Sequence, residues 1–123
     1  MDFKGMSRRI TDRLDDLQLS TIRALRATEL MKVDNEVTAG LAYDSALHHF
    51  SIASESLSQL KKKIDLSEFS QKIQYIIDLR NAATHEYFRV DGDEIIASIK
   101  DELVPLVEAI SDEIDRIRRE SVM

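Results

Sequence analysis

The sequence contains no cysteine and no tryptophan, and only one proline and three glycines among 123 residues. Without cysteine there is no disulfide scaffold, no thiolate zinc site and no cysteine nucleophile, and the chain suits a reducing compartment. One proline and three glycines are too little punctuation for an all-β fold, whose many turns draw on both. Long apolar runs are missing too. No stretch reaches the length of a membrane span, and the first thirty residues alternate charged and apolar side chains, which a signal peptide does not do. These absences predict a soluble, cytoplasmic, mostly helical protein with no membrane partner. Positive charge is also in deficit: 17 Lys plus Arg against 23 Asp plus Glu give a net charge of −6. That is the wrong sign for a general nucleic-acid coat protein. The length fits one domain, residues 1–123, able to bury a core unaided by metal or disulfide.

Helical periodicity accounts for most of the chain. From residue 7 to about 32, Ile10, Leu14, Leu17 and Leu25 recur at helical spacing with Thr21 in the same stripe, which predicts an amphipathic helix. Residues 33–36 break the pattern. A second helix is expected over about 38–63, with Leu41, Ala42, Ala46, Ile52, Ala53, Leu57 and Leu60 on its inner face. Asp65-Leu66-Ser67 reads as a connector with Ser67 as N-cap. A third helix follows over 68–85, its stripe formed by Phe69, Ile73, Ile76 and Ile77. The segment 88–93 is the one clear loop, marked by Asp91-Gly92. Beyond it, Ile95, Ile96, Ile99, Leu103, Leu106, Val107, Ile110, Ile114 and Ile117 step by threes and fours across Pro105. Either the helix kinks there, or one helix ends near Leu103 and Pro105 opens the next. No repeat or low-complexity segment interrupts this order. The fold class expected is all-α: an antiparallel, up-and-down bundle of four to five helices.

The third helix carries the most informative residue. The phase of Phe69, Ile73, Ile76 and Ile77 points position 80 inward, and the residue there is Arg80. A guanidinium facing a core is costly unless it is paired or lines a cleft. One reading pairs it with a carboxylate such as Asp78 or Glu55. In the other, it belongs to a site with residues one turn on: Asn81 and His85 are four apart, on one helix face, with Thr84 beside them and Tyr87 near the helix end.

With ten arginines and three histidines, an Arg placed shortly before a His carries little weight alone. The whole string Arg80-Asn81-Ala82-Ala83-Thr84-His85-Glu86-Tyr87 carries more. It resembles the Arg-Asn-x-x-x-His-x-Tyr signature of the HEPN (higher eukaryotes and prokaryotes nucleotide-binding) superfamily, most closely its HepT branch. That branch supplies the toxin of toxin–antitoxin pairs with a minimal nucleotidyltransferase (MNT). Tyr87-Phe88-Arg89-Val90-Asp91 is similar to the branch's Tyr-Phe-x-x-Asp segment, and Leu103-Val104-Pro105-Leu106 approximates its Leu-Pro-x-Leu. Ala53-Ser54-Glu55-Ser56 is similar to its Gly-Glu-Ala segment, which places Glu55 where relatives carry a polar residue near the site. The likeness runs from about residue 43 to 117. Two departures stand out: Glu86 replaces the usual Gly between His and Tyr, and the Trp that often follows the Asp loop is absent.

The resemblance implies an endoribonuclease that needs no metal and no cofactor. Such an enzyme uses the neighbouring 2′-hydroxyl as nucleophile and requires a base, an acid and positive charge on the reacting phosphate. His85 would move protons, since an imidazole exchanges them near neutral pH. Arg80 would hold two phosphate oxygens in its planar fork. Asn81, Glu55 and Thr84 would support them. The resemblance also implies a two-fold homodimer that joins both motifs in one cleft, RNA as substrate, and a nucleotidyltransferase antitoxin that transfers AMP to Tyr87. The alternative is a protein of the same fold without catalysis, whose cleft binds a nucleotide or docks the nucleotidyltransferase.

Other candidates read as structural. Adjacent His48 and His49 point about 100° apart on a helix and cannot share a metal without distortion; one is expected to pack and the other to be solvated. Lys61-Lys62-Lys63 suits the negative end of a helix, with an RNA contact as the alternative. The acidic groups around Asp91 and Asp112 lack metal-ligand spacing and read as solvated or helix-start charges.

Overall fold

The computed structural model describes residues 3–85 and 90–122, with side chains given for residues 9–85 and 90–121. These residues form four helical rods. Helix α1 spans Phe3–Met31, α2 spans Glu36–Lys63 and α3 spans Ser70–His85 after a 3₁₀ turn at Ser67–Phe69. The fourth rod joins α4 (Gly92–Ala97), a π-helical turn (Ser98–Leu103) and α5 (Val104–Val122). No strand occurs among the described residues, and none of the helices is long and apolar enough to cross a membrane. The expected all-α bundle is what the chain forms.

In α1 the buried residues Leu14, Leu17, Thr21, Ala24 and Thr28 alternate steps of three and four, a single stripe facing the core. The buried hydroxyls cost little because each is satisfied locally: Thr21 Oγ1 donates to the Leu17 carbonyl at 2.6 Å and Thr28 Oγ1 to the Leu25 carbonyl at 2.6 Å. Ile10 and Leu25 pack on this core half-buried.

Helix α2 begins two residues earlier than its apolar pattern suggests. Asn35 caps it, its side-chain oxygen accepting from the Thr38 N–H at 3.0 Å. Its inner face also differs from expectation. Leu41 is 66% exposed and Ile52 37%, while Tyr43 and Phe50 are buried. The phase set by Ala42, Ala46, Phe50, Ala53, Leu57 and Leu60 explains this, because Leu41 and Ile52 each sit one position, about 100°, off that stripe. The Lys61–Lys63 run does close the helix, in its last turn.

Ser67 is not a cap. Its own N–H donates to Asp65 Oδ1 at 3.0 Å, and buried Leu66 precedes the 3₁₀ turn without a side-chain cap. Asp65 satisfies the free N–H instead. The Asp91-Gly92 pair likewise starts a helix. Asp91 caps α4 by accepting from the Asp93 N–H at 3.0 Å, so the expected loop over 88–93 ends at Asp91. Gly92 does not use its left-handed freedom. It gives close approach, since a Cβ there would lie 3.3 Å from Met31 Cε.

Of the two expectations at Pro105 the second holds: one helical segment ends at Leu103 and Pro105 lies in the first turn of the next, α5, which continues the same rod. The π turn immediately before it absorbs the problem, with the Val104 N–H reaching back five residues to the Ile99 carbonyl. Proline has no N–H to offer and its ring crowds the carbonyl four residues back, so the wider turn accommodates it.

The rods pack around one apolar cluster that includes Leu17, Phe50, Leu57, Ile76, Ile99 and Ile110. Each such side chain contributes roughly 1.5–3 kcal/mol on leaving water. Helix α1 and the fourth rod run antiparallel, as three cross-links show in order. Arg118 Nη2 donates to Thr11 Oγ1 at 2.7 Å, Gln18 Nε2 to Ser111 Oγ at 3.1 Å, and Lys100 Nζ lies 3.2 Å from Glu29 Oε1. Helix α1 packs on α2 and the fourth rod, and α3 packs on α2 and the π turn, which puts α1 and α3 at opposite corners.

Candidate active site at the end of helix α3

Ile73, Ile76 and Leu79 bury one side of α3. Arg80 follows in phase with Ile73 and Ile76 and is half-buried, as the spacing predicts. Its Nε is buried with no hydrogen-bond partner, and its Nη1 donates to Asn81 Oδ1 at 3.2 Å. The backbone of the same residue is engaged too, its carbonyl accepting from Thr84 Oγ1 at 2.8 Å. His85 is the last residue of α3 and its side chain is exposed.

Neither Asp78 nor Glu55, the carboxylates expected to pair with Arg80, does so. Asp78 Oδ1 accepts from Gln74 Nε2 at 2.8 Å and Glu55 Oε1 from Gln59 Nε2 at 3.0 Å, both one turn away on their own helices. No carboxylate pairs with Arg80 among the described residues. The guanidinium is therefore oriented by a neutral amide, and no described carboxylate compensates its charge. Arg80, Asn81 and Thr84 form one linked group. No described hydrogen bond joins Asn81 to His85 or Glu55 to Arg80. Glu86, Tyr87, Phe88 and Arg89 lie outside the described residues.

The chain is pinned again at Val90, whose carbonyl accepts from Tyr43 Oη at 2.7 Å. That phenol reaches from α2 to the segment that follows the motif, and sequence reasoning missed it. The signal was present, because Tyr43 continues the stripe through Ala46 and Phe50 yet carries a hydroxyl that burial obliges to find a partner. Tyr75 makes a similar tie from α3, its Oη 3.0 Å from Ser98 Oγ in the π turn.

The remaining candidates stand apart from this site. His48 is exposed and His49 half-buried, as expected, with ring centroids 5.1 Å apart. Burial, and after it the neighbouring charges of His48 and Arg23, hold the His49 imidazole below its ordinary pKa, and its Nδ1 is buried without a partner. Among the described residues no three of His, Asp and Glu gather where they could hold a metal ion. Lys62 and Lys63 line a small hollow with Arg9 at the end of the bundle where α1 starts and α2 ends.

A family model described as Ribonuclease HepT-like matches residues 10–114, which takes in α2, α3 and all but the end of the fourth rod. No curated protein and no solved structure matches the chain.

Proposed function

The chain belongs to the HepT-like ribonuclease family of the HEPN superfamily, and from that premise we propose that it is the endoribonuclease toxin of a toxin–antitoxin pair, cleaving RNA with Arg80 and His85. The observation that carries this reading is the Arg80 guanidinium, which has no carboxylate partner among the described residues and is held by Asn81 one turn from His85. A charge with no carboxylate partner at the half-buried end of a helix is suited to an anion that arrives from outside. Phosphate is the anion whose paired oxygens match the arginine fork.

In the proposed reaction an imidazole takes the proton of the 2′-hydroxyl as its oxygen attacks the adjacent phosphorus. The P–O5′ bond breaks, a proton passes to the departing 5′-oxygen, and the products are a 2′,3′-cyclic phosphate and a 5′-hydroxyl. Arg80 stabilises the extra negative charge on the non-bridging oxygens of the transition state. Base and acid are two tasks and each chain brings one candidate histidine. We therefore place the reaction in a two-fold homodimer cleft where two copies of Arg80 and His85 meet. Asn81 orients the arginine, and Thr84 ties its backbone to the final turn. Glu55 stays a supporting candidate on α2. An MNT-type antitoxin would silence the enzyme by transferring AMP to Tyr87.

Purified protein incubated with RNA in EDTA tests the assignment. Cleavage by the wild type that His85→Ala abolishes is the expected result. Equal cleavage by both proteins would overturn it. An intact fold with no cleavage and no growth arrest on overexpression would assign the chain to the non-catalytic alternative.

A further inference from the structure

The outer face of α1 carries a pattern that the nuclease reading does not use. Asp12, Asp15, Leu19, Ile22, Arg26 and Leu30 follow one another by threes and fours along α1, with Val33 just beyond its end, and all are exposed. Leu19, Ile22 and Leu30 are 47–52% exposed and Val33 44%, an apolar seam that no described residue covers. Residues at this spacing share one helix face. Charge along the seam is ordered: acids in its first third, the Leu19–Ile22 pair at its centre, and arginines beyond. Asp16 and Arg23 flank the seam in the same sense. None of Asp12, Asp15, Asp16, Arg23 or Arg26 is in an ion pair within the described chain.

Such a face is complementary to itself when reversed. We infer that α1 is a docking surface for a second copy of this chain, the two α1 helices lying antiparallel across a two-fold axis that passes between Leu19 and Ile22. In that register Leu19 meets Ile22 of the other copy, and Asp15 meets Arg26, each contact occurring twice as an isologous interface requires. Glu29 comes level with Asp12, but Lys100 already neutralises it at 3.2 Å. A parallel arrangement would set Asp15 against Asp15 and Arg26 against Arg26, so charge selects the antiparallel one.

A second feature supports the same occupant. Arg23, Arg26 and Leu30 form one wall of a groove of about 440 Å³ whose other wall, on α2, includes Leu41 and His49; no acidic side chain lines it. The antiparallel register lays the acidic first third of the other α1 along this basic, apolar groove. Leu41, 66% exposed and off the α2 stripe, gains a use as part of its rim. Because α1 and α3 sit at opposite corners, the Leu19–Ile22 centre of this seam lies across the bundle from Arg80 and His85, and a chain with both interfaces assembles beyond a dimer.

A charge-swap series in sedimentation velocity tests the inference, with thermal melting to confirm folding. Asp15→Arg and Arg26→Asp each set like charges against one another across the axis and are expected to halve the particle mass. Leu19→Glu is expected to do the same through the apolar centre. The double variant Asp15→Arg/Arg26→Asp restores opposite charges in the reversed helix and is expected to regain the wild-type mass. RNA cleavage by these variants should stay at the wild-type rate, whatever that rate is. A wild-type mass of one protomer, 14.1 kDa, single variants with unchanged mass, or a double variant that fails to recover would each overturn the seam. Cleavage that falls with the mass would overturn its separation from the site.

Discussion

Arg80 donates through Nη1 to the side-chain oxygen of Asn81 at 3.2 Å, a bond between chain neighbours on the last turns of α3. The acceptor is neutral, so the bond fixes the direction of the guanidinium without cancelling its charge. An aspartate in the same place would do both. No described carboxylate cancels that charge either, which is the arrangement the proposed phosphate contact requires.

If Arg80 acts on phosphate, Arg80→Lys retains a positive charge but loses the planar fork, since an ammonium cannot bind two oxygens in the same way. Cleavage should fall by about 100-fold or more while the melting temperature stays unchanged. Side-by-side kinetics and thermal melting check both halves. Wild-type cleavage by the lysine variant would remove Arg80 from the chemistry, and a large drop in melting temperature would restore a structural role.

Tyr43→Phe keeps the buried ring and deletes the bond from Oη to the Val90 carbonyl. Losing a part-buried hydrogen bond costs about 1 kcal/mol, which for a chain of this size lowers the melting temperature by roughly 3–5 °C. The phenol also pins the chain five residues beyond His85, so cleavage should fall more than stability alone accounts for. Activity measured well below the melting temperature separates the two effects.

The fold was legible because most of its burial follows helical period: the α1 stripe, the α3 stripe and Ile95, Ile99, Ile110 and Ile114 of the last rod pack as spacing predicts, while Ile96 and Ile117 stay half-buried. Chain ends of helices were less legible, because caps depend on which side-chain oxygen reaches a free N–H. Asn35 and Asp91 do so, and Ser67 does not. Leu41 and Ile52 were misplaced because apolarity alone cannot choose between adjacent positions until Phe50 and Tyr43 fix the phase. At the site, periodicity placed Arg80 correctly. Its partner is a local geometric outcome that sequence leaves open, and the structure settles on Asn81 over Asp78 and Glu55.

His49 gives the protein a pH dependence on the acid side. Burial first, then His48 and Arg23, hold its imidazole below the ordinary value of 6.5. The unfolded chain therefore takes up a proton near pH 6.5 that the folded chain refuses, so stability is full above that pH and declines as pH falls toward the folded value. His49→Leu removes the titrating group and should flatten the fall in melting temperature between about pH 7 and 5. Identical pH profiles for variant and wild type would exclude the imidazole as the cause.

Tyr87 follows His85 by two residues, and Val90, three residues further on, is tethered to Tyr43. Along the sequence, Tyr87 therefore falls between the end of α3 and the tethered Val90, seven positions after Arg80. In the proposed modification the phenol oxygen attacks the α-phosphorus of ATP, the α–β anhydride bond breaks, pyrophosphate leaves and the phenol proton passes to solvent. The new phosphodiester adds one negative charge, which in this proposal the Arg80 guanidinium binds. Bound there, it occupies the fork that substrate phosphate needs, so inhibition is electrostatic as well as steric. Arg80→Ala should then accept AMP without the fork closing on it, which separates modification from its capture. Incubation with the cognate nucleotidyltransferase and ATP–Mg, followed by intact-mass measurement, is expected to show one AMP added to wild type and to Arg80→Ala, and none to Tyr87→Phe. Addition to Tyr87→Phe, or no addition to the wild type, would remove Tyr87 from the regulation of this enzyme.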